Sequence, residues 1–170
     1  CCPPMPATPD RDLESATVPL SCRLALGFDF GRVRIGVAVG EGVTGSARPL
    51  RTLPVRGQRP DWDAISRLIA EWRPDLLVVG VPRHADDTAN ATTVAALRFS
   101  RQLHGRFNLP VATIDERLSS WEAERRRSEA ATASRHRGGD AALDAGAAAV
   151  ILESWFNQQR SLASCATPNS

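Results

Sequence analysis

Residues 24–40, LALGFDFGRVRIGVAVG, alternate large apolar residues with small ones on either side of a short Gly-Arg turn. Leu24, Leu26 and Phe28 mark one face of the first run, and Ile35, Val37 and Val39 mark one face of the second. A two-residue repeat held over six or seven positions is the pattern of strands in a sheet, and two such runs joined by a turn make a hairpin. One residue breaks the pattern. Asp29 stands inside the first strand, where an ionised carboxylate is costly unless a cation meets it. Asp29 is therefore either a turn residue at the hairpin end or a residue held there to bind a cation.

The rest of the chain decides what surrounds this hairpin. ARPLRTLPV gives a third, weaker strand near a sheet edge, because proline interrupts it. PDWDAISRLIAEW predicts a helix opened by Pro60 and Asp61, with Trp62, Ile65, Leu68, Ile69 and Trp72 on one apolar stripe. DLLVVGVP is a continuous apolar run, as expected of a strand covered on both faces. TTVAALRFSRQLHGRF restores a helical period, and LPVATI is another short strand. Ser119 and Glu122 form a capping box that starts a helix, and a last helix runs through DAALDAGAAAVILESWFNQQR. Three strands, helix, strand, helix, strand, helix, helix is an α/β order with a mixed sheet: antiparallel hairpins first, parallel crossovers afterwards.

At 170 residues, 42% hydrophobic and 24% charged, the chain is long enough for one globular domain with a real core. Residues 1–21 are rich in proline, serine and acids without an apolar period, which predicts a disordered N-terminal tail. The domain is expected over 22–157, and a flexible C-terminal tail over 158–170. A net charge of +2 says little about partners, but every basic residue other than histidine is arginine. A chain without lysine has no Walker A loop, no Schiff base and no lysine general base. The cysteines at 1, 2, 22 and 165 form no C-x-x-C pair, so neither a zinc site nor a disulfide scaffold is expected. No apolar run reaches membrane-spanning length, and the expected location is cytoplasmic.

Acidic residues stand out at three places. Asp29 is on the first strand. Asp115 and Glu116 fall just past the carboxyl end of the last strand, where open α/β sheets form their binding crevices. Asp144 lies in the final helix, and steps of three or four from it reach Ala147 or Ala148, Ile151 and Trp155, the stripe that a helix buries. A lone aspartate of this kind is ordinarily a satisfied structural residue or a cap. Three acids directed at one interior need a shared positive charge, and oxygen ligands without Cys or His suit Mg²⁺ or Mn²⁺.

LALGFDFGRVRIGVAVG resembles the strand-turn-strand opening of the YqgF family, known as Holliday junction resolvases or pre-16S rRNA nucleases. LLVVGVP, VATIDERLSSWEAE and LDAGAAAVILESW resemble three later motifs of that family, in the right order, so the resemblance covers about residues 22–157. It implies a ribonuclease H-like fold, with a five-stranded mixed sheet flanked by helices. It also implies an acidic triad of Asp29, Glu116 and Asp144 holding Mg²⁺ or Mn²⁺. Two places depart from the family pattern: Asp87 stands where glycine is usual, and Arg32-Val33-Arg34 lacks the lysine common in that turn.

Other residues carry more than one reading each. Arg117 either holds Glu116 in place, reaches a phosphate, or makes a structural ion pair. Asp140 is either a further metal ligand or an exposed first-turn acid. His136 is either a proton shuttle or an exposed loop residue. Arg125, Arg126, Arg127, Arg135 and Arg137 are either a solvated face or a clamp on phosphates, which arginine grips bidentately. The tryptophans fall on apolar helix stripes and are expected in the core.

The expected activity is metal-assisted phosphodiester hydrolysis. The resemblance favours precursor 16S ribosomal RNA as substrate, with association to ribosomal precursors as a monomer or homodimer. Four-way junction cleavage in branched DNA is the alternative within the same chemistry. A non-catalytic nucleic-acid-binding adaptor is the alternative of another class. A nucleotide-binding ATPase shares the acidic hairpin, but the chain is too short for two duplicated lobes.

Overall fold

The computed structural model describes residues 23–57, 59–81, 91–115 and 141–165. Strands β1 (Leu24–Phe30), β2 (Arg34–Glu41) and β3 (Ser46–Arg56) follow one another, then the two-residue strand β4 (Arg59–Pro60) and helix α1 (Trp62–Trp72). Strand β5 (Leu76–Val81), helix α2 (Ala91–Phe107), strand β6 (Val111–Asp115) and helix α3 (Ala141–Cys165) complete the described elements. The Ser119–Glu122 capping box and the tail over 1–21 lie outside the described residues.

The sheet order is β4-β3-β2-β1-β5-β6. β1 pairs antiparallel with β2 and parallel with β5, β2 pairs antiparallel with β3, and β5 pairs parallel with β6. The sheet is mixed, as the element order required. Five strands were expected, and five are long. The sixth, β4, pairs only at Val55 and Arg56, where Gly57 at φ 56° turns the chain back. Most of β3 therefore behaves as the edge that its prolines foretold.

The alternation in the hairpin divides the molecule into layers. Leu26, Phe28, Phe30, Ile35, Val37 and Val39 point to one face and join Ile65, Leu68, Ala96, Phe99 and Leu103 of α1 and α2 in the larger core. The opposite face carries small residues: Ala25 and Gly27 on β1, and Gly36, Ala38 and Gly40 on β2. Helix α3 packs there. Ala25 clusters with Ile151, Leu152 and Trp155, and Ala38 with Ala148 and Ala149. A Cβ on Gly27 would lie 3.0 Å from the Ala148 carbonyl oxygen, so the backbones approach closely.

The α1 reading holds in detail. The Asp61 side chain caps the helix by accepting from the Ala64 N–H, and Ile65 and Leu68 are buried under it. β5 is buried along its whole length, as its unbroken apolar run implied. At its far end α3 runs on to Cys165, five residues past the Arg160 at which the sequence pattern closes the helix. The Arg160 guanidinium donates to the Val43 carbonyl at 3.1 Å and covers Gly45. That contact ties the polar extension to the β2–β3 turn.

Candidate active site

Asp29 is the next member of the series Ala25, Gly27, Asp29, so strand alternation turns it toward the face that carries α3. It is half-buried and sits one residue from the carboxyl end of β1. Across the antiparallel ladder it is opposite Gly36, and across the parallel ladder it is opposite Gly80. The carboxylate therefore stands between two residues that carry no side chain.

Gly36 brings the second acid in. A Cβ built on Gly36 would collide with the Asp144 carbonyl group and would come within 3.0 Å of the Ala145 nitrogen. The first turn of α3 thus rests directly on the residue opposite Asp29. Residues facing each other across an antiparallel ladder have Cα atoms only about 4.5–5.5 Å apart. Asp29 and Asp144, separated by 115 positions in the sequence, are neighbours at one end of the helix–sheet seam.

Packing further along the seam keeps them there. Gly27 meets Ala148 and Leu152, and Gly40 meets Leu152 and Phe156. Helix α3 therefore runs antiparallel to β1, with its amino-terminal turn at the strand's carboxyl end. The stripe from Asp144 through Ala148, Ile151 and Trp155 is buried after its first member, as the sequence periodicity required. Asp144 is the half-exposed head of that stripe: its side chain is 35% exposed.

One cation already addresses the site. Arg34, the first residue of β2, places Nη1 3.9 Å from an Asp144 carboxylate oxygen, with 43% of its side chain exposed. At that distance and exposure the pair is loose, and exposed pairs contribute little to stability. It orients the carboxylate without burying it.

Asp115 closes β6 opposite Val81 and is half-buried. Its alternation partner Val111 joins the α1–α2 core, whereas Ile114 joins the cluster under α3. Asp115 is thus on the face away from Asp29. Asp29, Gly80 and Ile114 lie in register across β1, β5 and β6. Glu116 lies outside the described residues, as do Arg117, Arg125, Arg126, Arg127, Arg135, His136, Arg137 and Asp140. Among the described residues there is no group of three metal-ligating side chains. The donor set that is described fits a hard divalent cation: two half-buried carboxylates from separate elements, without sulfur or imidazole.

The sequence pattern singles out Asp29 and Asp144 but not the contact that brings them together. Gly36 and Gly80 went unremarked, although the large–small alternation in which Gly36 and Asp29 both take small positions was visible. Arg34 was noted only as a departure from a family pattern.

A family model described as RuvX, Holliday junction resolvase, matches residues 23–158. The chain belongs to the RuvX family. This RuvX-family chain is 46% identical over 147 residues to a protein of Nitrosococcus oceani, covering 86% of the chain and 95% of that protein. It is 49% identical over 140 residues to a protein of Pseudomonas putida, covering 79% and 94%. Both relatives bear the name "Putative pre-16S rRNA nuclease". Among solved structures, T. thermophilus RuvC in complex with a Holliday junction substrate matches with a TM-score of 0.50 at 17% identity, covering 81% of this chain and 95% of that one. That likeness shows a shared ribonuclease H-like fold. No helix among the described residues of this RuvX-family chain is long and apolar enough to cross a membrane.

Proposed function

We propose that the protein is a metal-dependent nuclease, a hydrolase of phosphodiester bonds, that acts in the cytoplasm on structured RNA in the maturation of precursor 16S ribosomal RNA. The observation that carries the reading is the seating of Asp144 on Gly36, opposite Asp29, which converges two carboxylates at the carboxyl end of the central strand. The names of the relatives, at close to half identity over most of the chain, support RNA as substrate.

Asp29, Asp144 and Glu116 are assigned as the catalytic acids and as ligands of Mg²⁺ or Mn²⁺. Glu116 enters on the family resemblance alone. A divalent cation in such a site supplies charge neutralisation at phosphoryl oxygens and lowers the pKa of an attacking water. The chain's own part is positional. β1 fixes Asp29 through ladders on both sides, and the small residues of the seam fix Asp144. Arg34 offers a cation beside them, with a guanidinium suited to a scissile phosphate. Arg117, Arg125, Arg126, Arg127, Arg135 and Arg137 are assigned to backbone phosphates, which suits binding blind to base sequence. The catalytic domain is assigned to 22–157, with α3 continuing beyond it to Cys165.

Cleavage of branched DNA is the second reading, favoured by the description of the matching family. One panel decides: the purified protein with Mn²⁺ is offered precursor 16S rRNA ends, single-stranded RNA and a four-way DNA junction. Cleavage at the precursor ends supports the proposal. Symmetric nicking of the junction alone transfers the assignment to resolution. Cleavage of nothing, with binding retained, identifies an adaptor.

A further inference from the structure

On the face of the sheet away from α3, a half-open cavity of ≈ 740 Å³ lies between the end of β1, β4 and helices α1 and α2. Phe30, Trp62, Val94 and Phe99 supply its apolar surface, and Arg32, Arg59, Arg98 and Arg106 supply guanidinium groups. Among the described residues no acidic side chain lines it. Arg32, Arg59 and Arg98 have no acidic partner among the described residues. Three arginines without an acidic partner among the described residues, gathered around one concavity, make a positive field, and surfaces that retain such a field attract polyanions.

The apolar part has its own signature. Val94, 55% exposed on α2, lines the cavity. Trp62 stacks on Phe99 at 5.6 Å between ring centroids, and the Arg106 guanidinium lies over the Trp62 ring at 4.4 Å. A guanidinium held against an indole is an ordered plane, and unstacked bases use both aromatic rings and arginine planes as platforms. Phosphate-pairing charges next to an apolar, planar surface match a single strand of nucleic acid, with its backbone on the arginines and a base on the floor.

The β1–β2 turn connects this cavity to the acids. Asp29 and Phe30 are consecutive and face opposite sides of the sheet, so the carboxylate and the cavity wall share one strand end. Arg32 lines the cavity, while Arg34, two residues later, reaches Asp144. We propose that this arginine-lined cavity is a second nucleic-acid subsite. It takes the single-stranded segment of the RNA substrate that continues over the β1–β2 turn from the bond at Asp29 and Asp144. The choice of RNA rests on the nuclease reading above; the subsite itself rests on the cavity.

The test is fluorescence anisotropy of a labelled twelve-nucleotide single-stranded RNA with the full chain in EDTA, as a function of salt. Arg59→Gln/Arg98→Gln removes two cavity charges. Arg67→Gln/Arg101→Gln removes two exposed charges from α1 and α2 outside the cavity. The cavity pair is expected to weaken binding about tenfold and to reduce the salt slope by roughly 1.4, about 0.7 per lost phosphate contact on a single strand. The matched pair is expected to leave both within about twofold of wild type. Equal weakening by the two pairs would reduce the attraction to diffuse charge and overturn the subsite, as would unchanged binding by the cavity pair. Inorganic tripolyphosphate competing as well as the RNA, per phosphate, would overturn the strand in favour of a small-anion site. Asp29→Asn, run in parallel, separates the two readings. If it still cleaves RNA while the cavity pair binds weakly, the acid assignment fails and the subsite stands. If it is inactive while the cavity pair binds as wild type, the subsite alone fails.

Discussion

The backbone of Asp144 rests on Gly36 so closely that not even a methyl group fits between the helix and the strand. Gly36 is in turn opposite Asp29. This contact sets the depth at which α3 sits on the sheet, and with it the separation of the two acids.

Substituting Gly36 with alanine should therefore act on activity as well as on stability. The new Cβ meets backbone, which cannot swing aside, so the first turn of α3 must lift. Overpacking of this kind costs about 1–3 kcal/mol, and a displacement near 1 Å at a reacting centre costs on the order of 10²-fold in rate. Gly40→Ala is the control on the same strand face. Its Cβ would meet the Leu152 Cδ2 and Phe156 Cε2 atoms at 2.8 Å, mostly side-chain tips that can yield, and the Ser46 carbonyl at 3.0 Å. Thermal unfolding and cleavage rates of both variants check this. Gly40→Ala should keep near-normal activity per folded molecule, and Gly36→Ala should not.

Arg34 should be nearly neutral for stability and visible in ion binding. The Arg34–Asp144 pair is open to solvent, so Arg34→Gln is expected to change unfolding free energy by no more than about 0.5 kcal/mol. Removing one positive charge near a divalent-ion site removes repulsion of roughly 1 kcal/mol per charge pair at 4 Å in water, a factor of about five. Calorimetric titration with Mn²⁺ should show tighter binding in the variant. Unchanged affinity would place the ion away from Asp144.

The end of α3 offers a test of the domain boundary. Truncation after residue 157 removes Arg160 and its hydrogen bond to the Val43 carbonyl. The expected loss is about 1 kcal/mol, the usual net value of one intramolecular hydrogen bond, since this one is exposed to solvent. Arg160→Ala should reproduce most of it in a chemical-denaturation curve. A truncated chain as stable as the full one would show that the last two turns contribute nothing.

How much of this was legible beforehand differs by element. The hairpin, α1 and β5 were readable because each carries its own short-range pattern: alternation, a capped apolar stripe, an unbroken apolar run. Asp29 and Asp144 were readable as residues out of place in such patterns. The depth of the α3 seam was not, because it depends on Gly36 meeting a backbone more than a hundred residues away. The continuation of α3 to Cys165 was hidden for a similar reason. SLASC, the stretch past Arg160, has no apolar period, and the end of the helix is supported by the contact of Arg160 with the distant turn at Val43 and Gly45. The arginine cavity draws on a hairpin turn, a two-residue strand and two helices, and nothing local in the sequence marks it.

The most direct test of the central claim is the shift in thermal midpoint produced by Mn²⁺ in wild type, Asp29→Asn and Asp144→Asn. A ligand that binds only the folded state stabilises it by about 2.7 kcal/mol at a hundred times its dissociation constant. If the two carboxylates hold one ion, wild type rises by several degrees and each variant loses most of that rise while still unfolding cooperatively in EDTA. If either variant keeps the full wild-type shift, Asp29 and Asp144 do not share a metal and the assignment of the active site is wrong.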